Sequence, residues 1–147
     1  HGAIAEKVDI PNDYIVAIET ALGGQAQHII VENEQKAREA ISWLKRTNNG
    51  RATFLPLSTI QGKNIPDHVY HMAQNSSGFI GVASDLVTYD KQYDSIIKSL
   101  LGTTFIAKNL KDANDIANKT WGLYDWGSTK EIESFVVYER KGTSPSK

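Results

Sequence analysis

Chemistry in a chain of 147 residues has to be carried by a few side-chain types at workable spacing, so the histidines, carboxylates and glycine turns come first. His68 and His71, in DHVYH, stand three apart and share one face if the segment is helical, a spacing that suits metal ligation. A site needs three or four ligands, no compelling third stands nearby, and cysteine is absent, so no metal is expected and the pair reads as surface or partly packed histidines. The stretch LSTIQGKN carries Leu57 and Asn64 where a phosphate-binding loop needs its first glycine and its hydroxyl residue. Gly-x-Ser-x-Gly is missing. The carboxylates Asp13, Glu34, Asp90 and Asp112 fall at helix starts, where they complement the positive end of the dipole rather than form an acid/base pair. Nothing assembles nucleophile, base and oxyanion donor, and no catalytic residue or cofactor is expected.

The cations are more informative. SWLKRTNNGRATFLPLSTI, residues 42–60, places Lys45 and Arg46 at the end of a helix and Arg51 just past an Asn-Asn-Gly break. Cations there stabilise the negative end of a helix dipole by a few tenths to about 1 kcal/mol each. The same three, beside free loop amides, are the candidates for gripping nucleic-acid phosphates without reading sequence. Trp43, Trp121 and Trp126 could stack on a ligand, but large aromatics in an α/β domain more often finish a core or line an interface. A rival reading, a small-ligand or anion-binding α/β domain using Gly23-Gly24, suffers because that turn follows a helix C-terminus, the wrong end for an anion.

Positioning these residues requires the following elements. A strand is expected over AIAEKVDI, then Pro11, Asn12 and Asp13 as a break with candidate caps for the helix YIVAIETAL, whose Ile15, Ile18 and Leu22 share a face and which Gly23-Gly24 ends. QHIIVE reads as a strand, and Asn33 caps the helix EQKAREAISWLKR with an apolar stripe of Ala37, Ala40, Ile41 and Leu44. RATFLPL is the next strand, followed by an irregular stretch with a short helix around DHVYHMA. GFIGVASDLVTY reads as strand and turn; Asp90 caps KQYDSIIKSLL, which buries Tyr93, Ile96, Ile97, Leu100 and Leu101; Gly102 ends it. TTFIA is a strand and Asn109 caps LKDANDIANK. The alternation predicts an α/β (α+β) fold.

Size and composition fit that reading: 40% hydrophobic and 22% charged residues support one compact domain, of one lobe or two. Net charge is −1, so no global field draws the chain to nucleic acid, and contact has to come from a local patch. No apolar run approaches the ~18 residues of a membrane span. The missing cysteines suit a reducing compartment, and HGAIAEKVDI has neither a secretory core nor an initiating Met, which reads as an internal piece of a longer protein. LGGQAQHIIVENEQKAREA and LGTTFIAKNLKDANDIA share a Leu-Gly, a strand, an Asn cap and an Ala four residues on, pairing Asn33 and Ala37 with Asn109 and Ala113. Either any helix-strand-helix unit needs these parts, or the chain has two similarly built lobes.

GRATFLPL at 50–57, preceded by ETALGGQAQHIIVENEQKAREAISWLKR at 19–46 and followed by GFIGVASDLVTYD at 78–90, resembles the hinge domain of bacterial structural maintenance of chromosomes (SMC) proteins. HGAIAEKVDI and IIKSLLGTTFIAKNLKDANDIANK fit the same family in order and spacing, so the resemblance covers residues 1 to about 119. It implies two lobes of mixed sheet with flanking helices, roughly 1–60 and 61–119. It also implies a cytoplasmic, nucleoid-associated role in chromosome condensation and segregation. Family hinges dimerise and join two coiled-coil arms, and some touch DNA weakly, for which Lys45, Arg46 and Arg51 are the candidates here; the ATPase resides in head domains. The implied partners are therefore a second hinge and DNA, with no membrane.

Beyond Lys119 the chain departs from the family. The expected strand resembling VTLDGDVV and the Gly-rich TGG segment of the dimer contact are replaced by TWGLYDWGSTKEIESFVVYERKGTSPSK, in which SFVVYERKG can stand for that strand. Residues 120–147 are read as a divergent tail, a vector-derived end or part of an engineered chimera. Trp121, Tyr124 and Trp126, with Leu123, form an aromatic cluster that either caps the core or makes an alternative interface.

Overall fold

The computed structural model describes residues 1–120 in full and, beyond them, the backbone of Phe135–Val137. The chain opens with β1 (Gly2–Ala3), a one-turn helix α1 (Ile4–Lys7) and β2 (Val8–Asp9). It continues through α2 (Ile15–Leu22), β3 (Ile29–Val31), α3 (Glu34–Thr47) and β4 (Phe54–Pro56). The second run comprises α4 (Asp67–Gln74), β5 (Phe79–Val82), β6 (Thr88–Tyr89), α5 (Asp94–Leu101), β7 (Phe105–Ala107), α6 (Leu110–Thr120) and β8 (Phe135–Val137).

The topology repeats. In one sheet β1 runs antiparallel to β3, and β3 parallel to β4 across the α3 crossover; in the other β5 runs antiparallel to β7, and β7 parallel to β8 across α6. The strands that follow β1 and β5 meet each other: β2 and β6 pair antiparallel, Val8 opposite Tyr89 and Asp9 opposite Thr88, joining the two halves. Two matched caps start the crossover helices. Asn33 accepts from the Lys36 N–H at 2.9 Å and Asn109 from the Asp112 N–H at 2.8 Å, and the fourth residue after each, Ala37 and Ala113, is buried against its sheet. The similarity of the two sequence segments is thus a repeat of architecture.

Strand alternation sorts the apolar residues into layers. Ile30 in β3 and Ile106 in β7 point into a central core with Ile18, Leu22, Ile96, Ile97 and Leu101 from α2 and α5. Each such side chain fully removed from water contributes about 1.5–3 kcal/mol. The opposite face of β7 presents Phe105 and Ala107 to a second core, closed by Val69 and Ala73 of α4 and by Ala113 and Ile116 of α6. Phe79 stacks edge-on against both Phe105 and Tyr70 there, with ring centroids 5.2 and 5.9 Å apart.

Several local expectations are corrected. Residues 3–10 are not one strand: Ile4 drops into the central core and the Glu6 carboxylate accepts the Ala3 N–H at 3.1 Å, which winds one helical turn between β1 and β2. Neither Asn12 nor Asp13 caps α2 with its side chain; a 3₁₀ turn over Asn12–Tyr14 leads into it instead. Of the α3 stripe only Ala37 is buried, because α3 has a sheet on one side and, among the described residues, no second helix packed over it. Leu100 is only half-buried, while Tyr93, Ile96, Ile97 and Leu101 go inside as expected.

Candidate nucleic-acid interface

The basic end of α3 is built by its own backbone. Lys45 and Arg46 occupy the last turn. Asn48 takes the left-handed conformation, φ 54°, and donates its N–H to the Leu44 carbonyl, while Asn49 donates to the same carbonyl at 3.2 Å. Thr47 Oγ1 donates back to the Trp43 carbonyl at 2.7 Å and accepts from Asn49 Nδ2 at 2.9 Å. Gly50, φ 94°, then turns the chain toward β4, a conformation a side chain would strain. Arg51 follows immediately.

All three predicted cations are exposed, and among the described residues none makes an ion pair, whereas Lys36, Arg38, Lys98 and Lys111 are each spent on a carboxylate of their own helix. The fold therefore gathers Lys45, Arg46 and Arg51 around one helix end and its turn, with their charge available to an outside anion. Trp43, in the same turn of helix, is 49% exposed. Expected to finish a core or line an interface, it packs into neither core, because it lies two residues past Ile41 and off the stripe of α3. That offset was readable in the sequence. Trp121, Tyr124 and Trp126 lie outside the described residues.

His68 and His71 are exposed on α4, and no cluster of three potential metal-ligating His, Cys, Asp or Glu residues occurs among the described residues. A cleft of about 390 Å³ opens between the start of α4 and the end of β5, bordered by Asn64, Asp67, Tyr70, Ser84 and Asp85. Its two carboxylates oppose an anionic ligand. Gly23, with φ 55°, closes α2 at its C-terminus and opens only a five-residue 3₁₀ turn, Gly23–Gln27, too short to present the aligned amides of an anion site.

At the junction of β6 and α5 the Tyr89 hydroxyl donates to Asp94 Oδ1 at 2.7 Å. Tyr89 is pushed up to about 12, first by its burial and then by Asp94, and Asp94 is held below the usual carboxylate value chiefly by that hydrogen bond. This bond ties the strand that joins the halves to the helix lining the central core. No described helix is long and apolar enough to cross a membrane.

The model of the SMC proteins flexible hinge domain family matches residues 1–117. Over 116 residues the chain is 47% identical to the chromosome partition protein Smc of Bacillus subtilis (strain 168), covering 79% of this chain and 10% of that protein. Among solved structures, an asymmetric dimer of the Geobacillus stearothermophilus SMC hinge domain superposes with a TM-score of 0.79 at 46% identity, over 80% of this chain and 47% of that one. The Pyrococcus furiosus SMC protein hinge domain superposes with a TM-score of 0.67 at 34% identity, over 78% and 58%. The chain thus spans about a tenth of the length of the curated relatives it matches.

Proposed function

The chain belongs to the SMC flexible hinge family, and on that premise we propose that it is a non-enzymatic association module, pairing with a second copy to join two arms of a chromosome-partitioning SMC protein. The observation that carries the reading is the ordered match of residues 1–117 together with the repeated two-sheet architecture. The asymmetric dimer formed by the Geobacillus stearothermophilus hinge supports it. The setting proposed for this work is the cytoplasm, at the nucleoid.

A secondary, sequence-independent contact with DNA runs through Lys45, Arg46 and Arg51. The support is their exposure and their freedom from ion pairs among the described residues. With a net charge of −1 the chain offers no long-range attraction, so the contact is weak and strongly dependent on salt.

Light scattering over a concentration series tests the association. The expected result is a molar mass rising from 16.3 kDa toward twice that value. A mass that stays at 16.3 kDa at the highest concentration refutes pairing for this chain while leaving its fold untouched.

A further inference from the structure

The repeat allows one half to be used as a template for the other. Matching Asn33 to Asn109 places Ala40 on Ile116 and Leu44 on Thr120, and it places Ile29 and Val31 on Phe105 and Ala107. In the second half all four of these positions are buried, and Ile116, Phe105 and Ala107 share a core with Val69 and Ala73 of the helix α4, which packs on both α6 and β5. In the first half the four counterparts are only half-buried, Ile41 is 39% exposed, and no described helix stands where α4 would stand. The inner faces of the two sheets, by contrast, are equally covered: Ile30 and Ile106 are both fully buried. The difference is confined to the outer face.

From this comparison we infer that the outer face of α3 and β3 is a docking surface for an amphipathic helix of about two turns, supplied by chain that leads into β1. Order in the repeat selects this occupant. α4 precedes β5 by the four residues Asn75 to Gly78, so its counterpart precedes β1 by a similarly short link. Nine tenths of the length of the Bacillus subtilis relative lies outside the matched segment, ample chain to provide it. Ala40 and Leu44, four apart, lie along one ridge of α3, with Ile41 beside them three residues before Leu44, and the three form the apolar side of the groove. The pairing proposed above and the DNA contact do not depend on this surface.

The test compares the present chain with one extended upstream by about 15 residues of its own natural sequence, enough for two turns and a link. Amide hydrogen exchange over α3 is expected to slow at least tenfold in the extended chain. Ile41→Asp is expected to move the Tm of the present chain by less than about 1 °C and that of the extended chain by several degrees, cancelling the protection. Should the extended chain not fold, the same segment added as a free peptide is expected to shift the methyl resonances of Ile41 and Leu44. Unchanged α3 exchange on extension, or unshifted methyls with the peptide, overturns the inference. So does light scattering in which Ile41→Asp abolishes self-association of the present chain, since the face then belongs to a second copy.

Discussion

Replacing Gly102 by Ala tests what holds the connection between the halves against the central core. Gly102 has ordinary right-handed backbone angles, φ −74° and ψ −15°, so alanine is conformationally acceptable and favoured by helix propensity. The obstacle is space. A Cβ there would overlap the carbonyl oxygens of Lys63 and Lys98, with the Lys63 carbonyl carbon only 3.0 Å away. Both obstructing groups are backbone, and the neighbouring Gly62 lies close enough to α5 that a Cβ on it would sit 3.1 Å from Lys98 Cβ, so the loop over 57–66 has to lift off α5. Overpacking of this kind costs about 1–3 kcal/mol, or about 2–12 °C in Tm for a domain of this size. Gly24→Ala is the control: no atom lies within 4 Å of its Cβ, so it is expected to be neutral or stabilising by about 0.4–1 kcal/mol. Urea unfolding of both variants decides the matter. A Gly102→Ala protein within about 0.5 kcal/mol of the parent would refute the steric argument.

Removing the caps one at a time, Asn33→Ala and Asn109→Ala, is expected to cost about 1 kcal/mol each in urea unfolding, and the two costs should add because the caps start different helices and share no partner. Reversing Lys45, Arg46 and Arg51 to Glu is expected to abolish a gel shift with duplex DNA, and neutralising them to lower the slope of log K against log salt by up to about 3; an unchanged shift removes them from the contact. The Tyr89–Asp94 bond gives a pH signature. Asp94, depressed in the folded state, stabilises above its unfolded value of 3.8 and loses that contribution as pH falls through the lower folded value. Tyr89, raised from 10.0 to about 12, contributes fully below pH 10 and loses its contribution as pH rises from there through about 12. Tyr89→Phe should flatten both limbs of a stability profile; unaltered limbs would show that the bond does not persist in solution.

Local features, and motifs in a fixed order, could be read directly from the chain. Asn33 and Asn109 cap their helices as read, since a cap is a contact between residues three apart, and α5 buries most of its predicted face because helical periodicity is local. The hinge family was legible from strings in a fixed order, and the candidate cations were legible as a helix end followed by a glycine turn. Tertiary structure decided the rest. Which strands pair, and that β2 meets β6 with Val8 opposite Tyr89, depends on long-range closure that no local pattern encodes. Gly102 read as a helix stop, yet its want of a side chain serves a carbonyl from a distant loop. The stripe of α3 looked like that of any buried helix; whether a stripe is covered depends on what packs over it, and over α6 that is α4, whereas over α3 no described helix does.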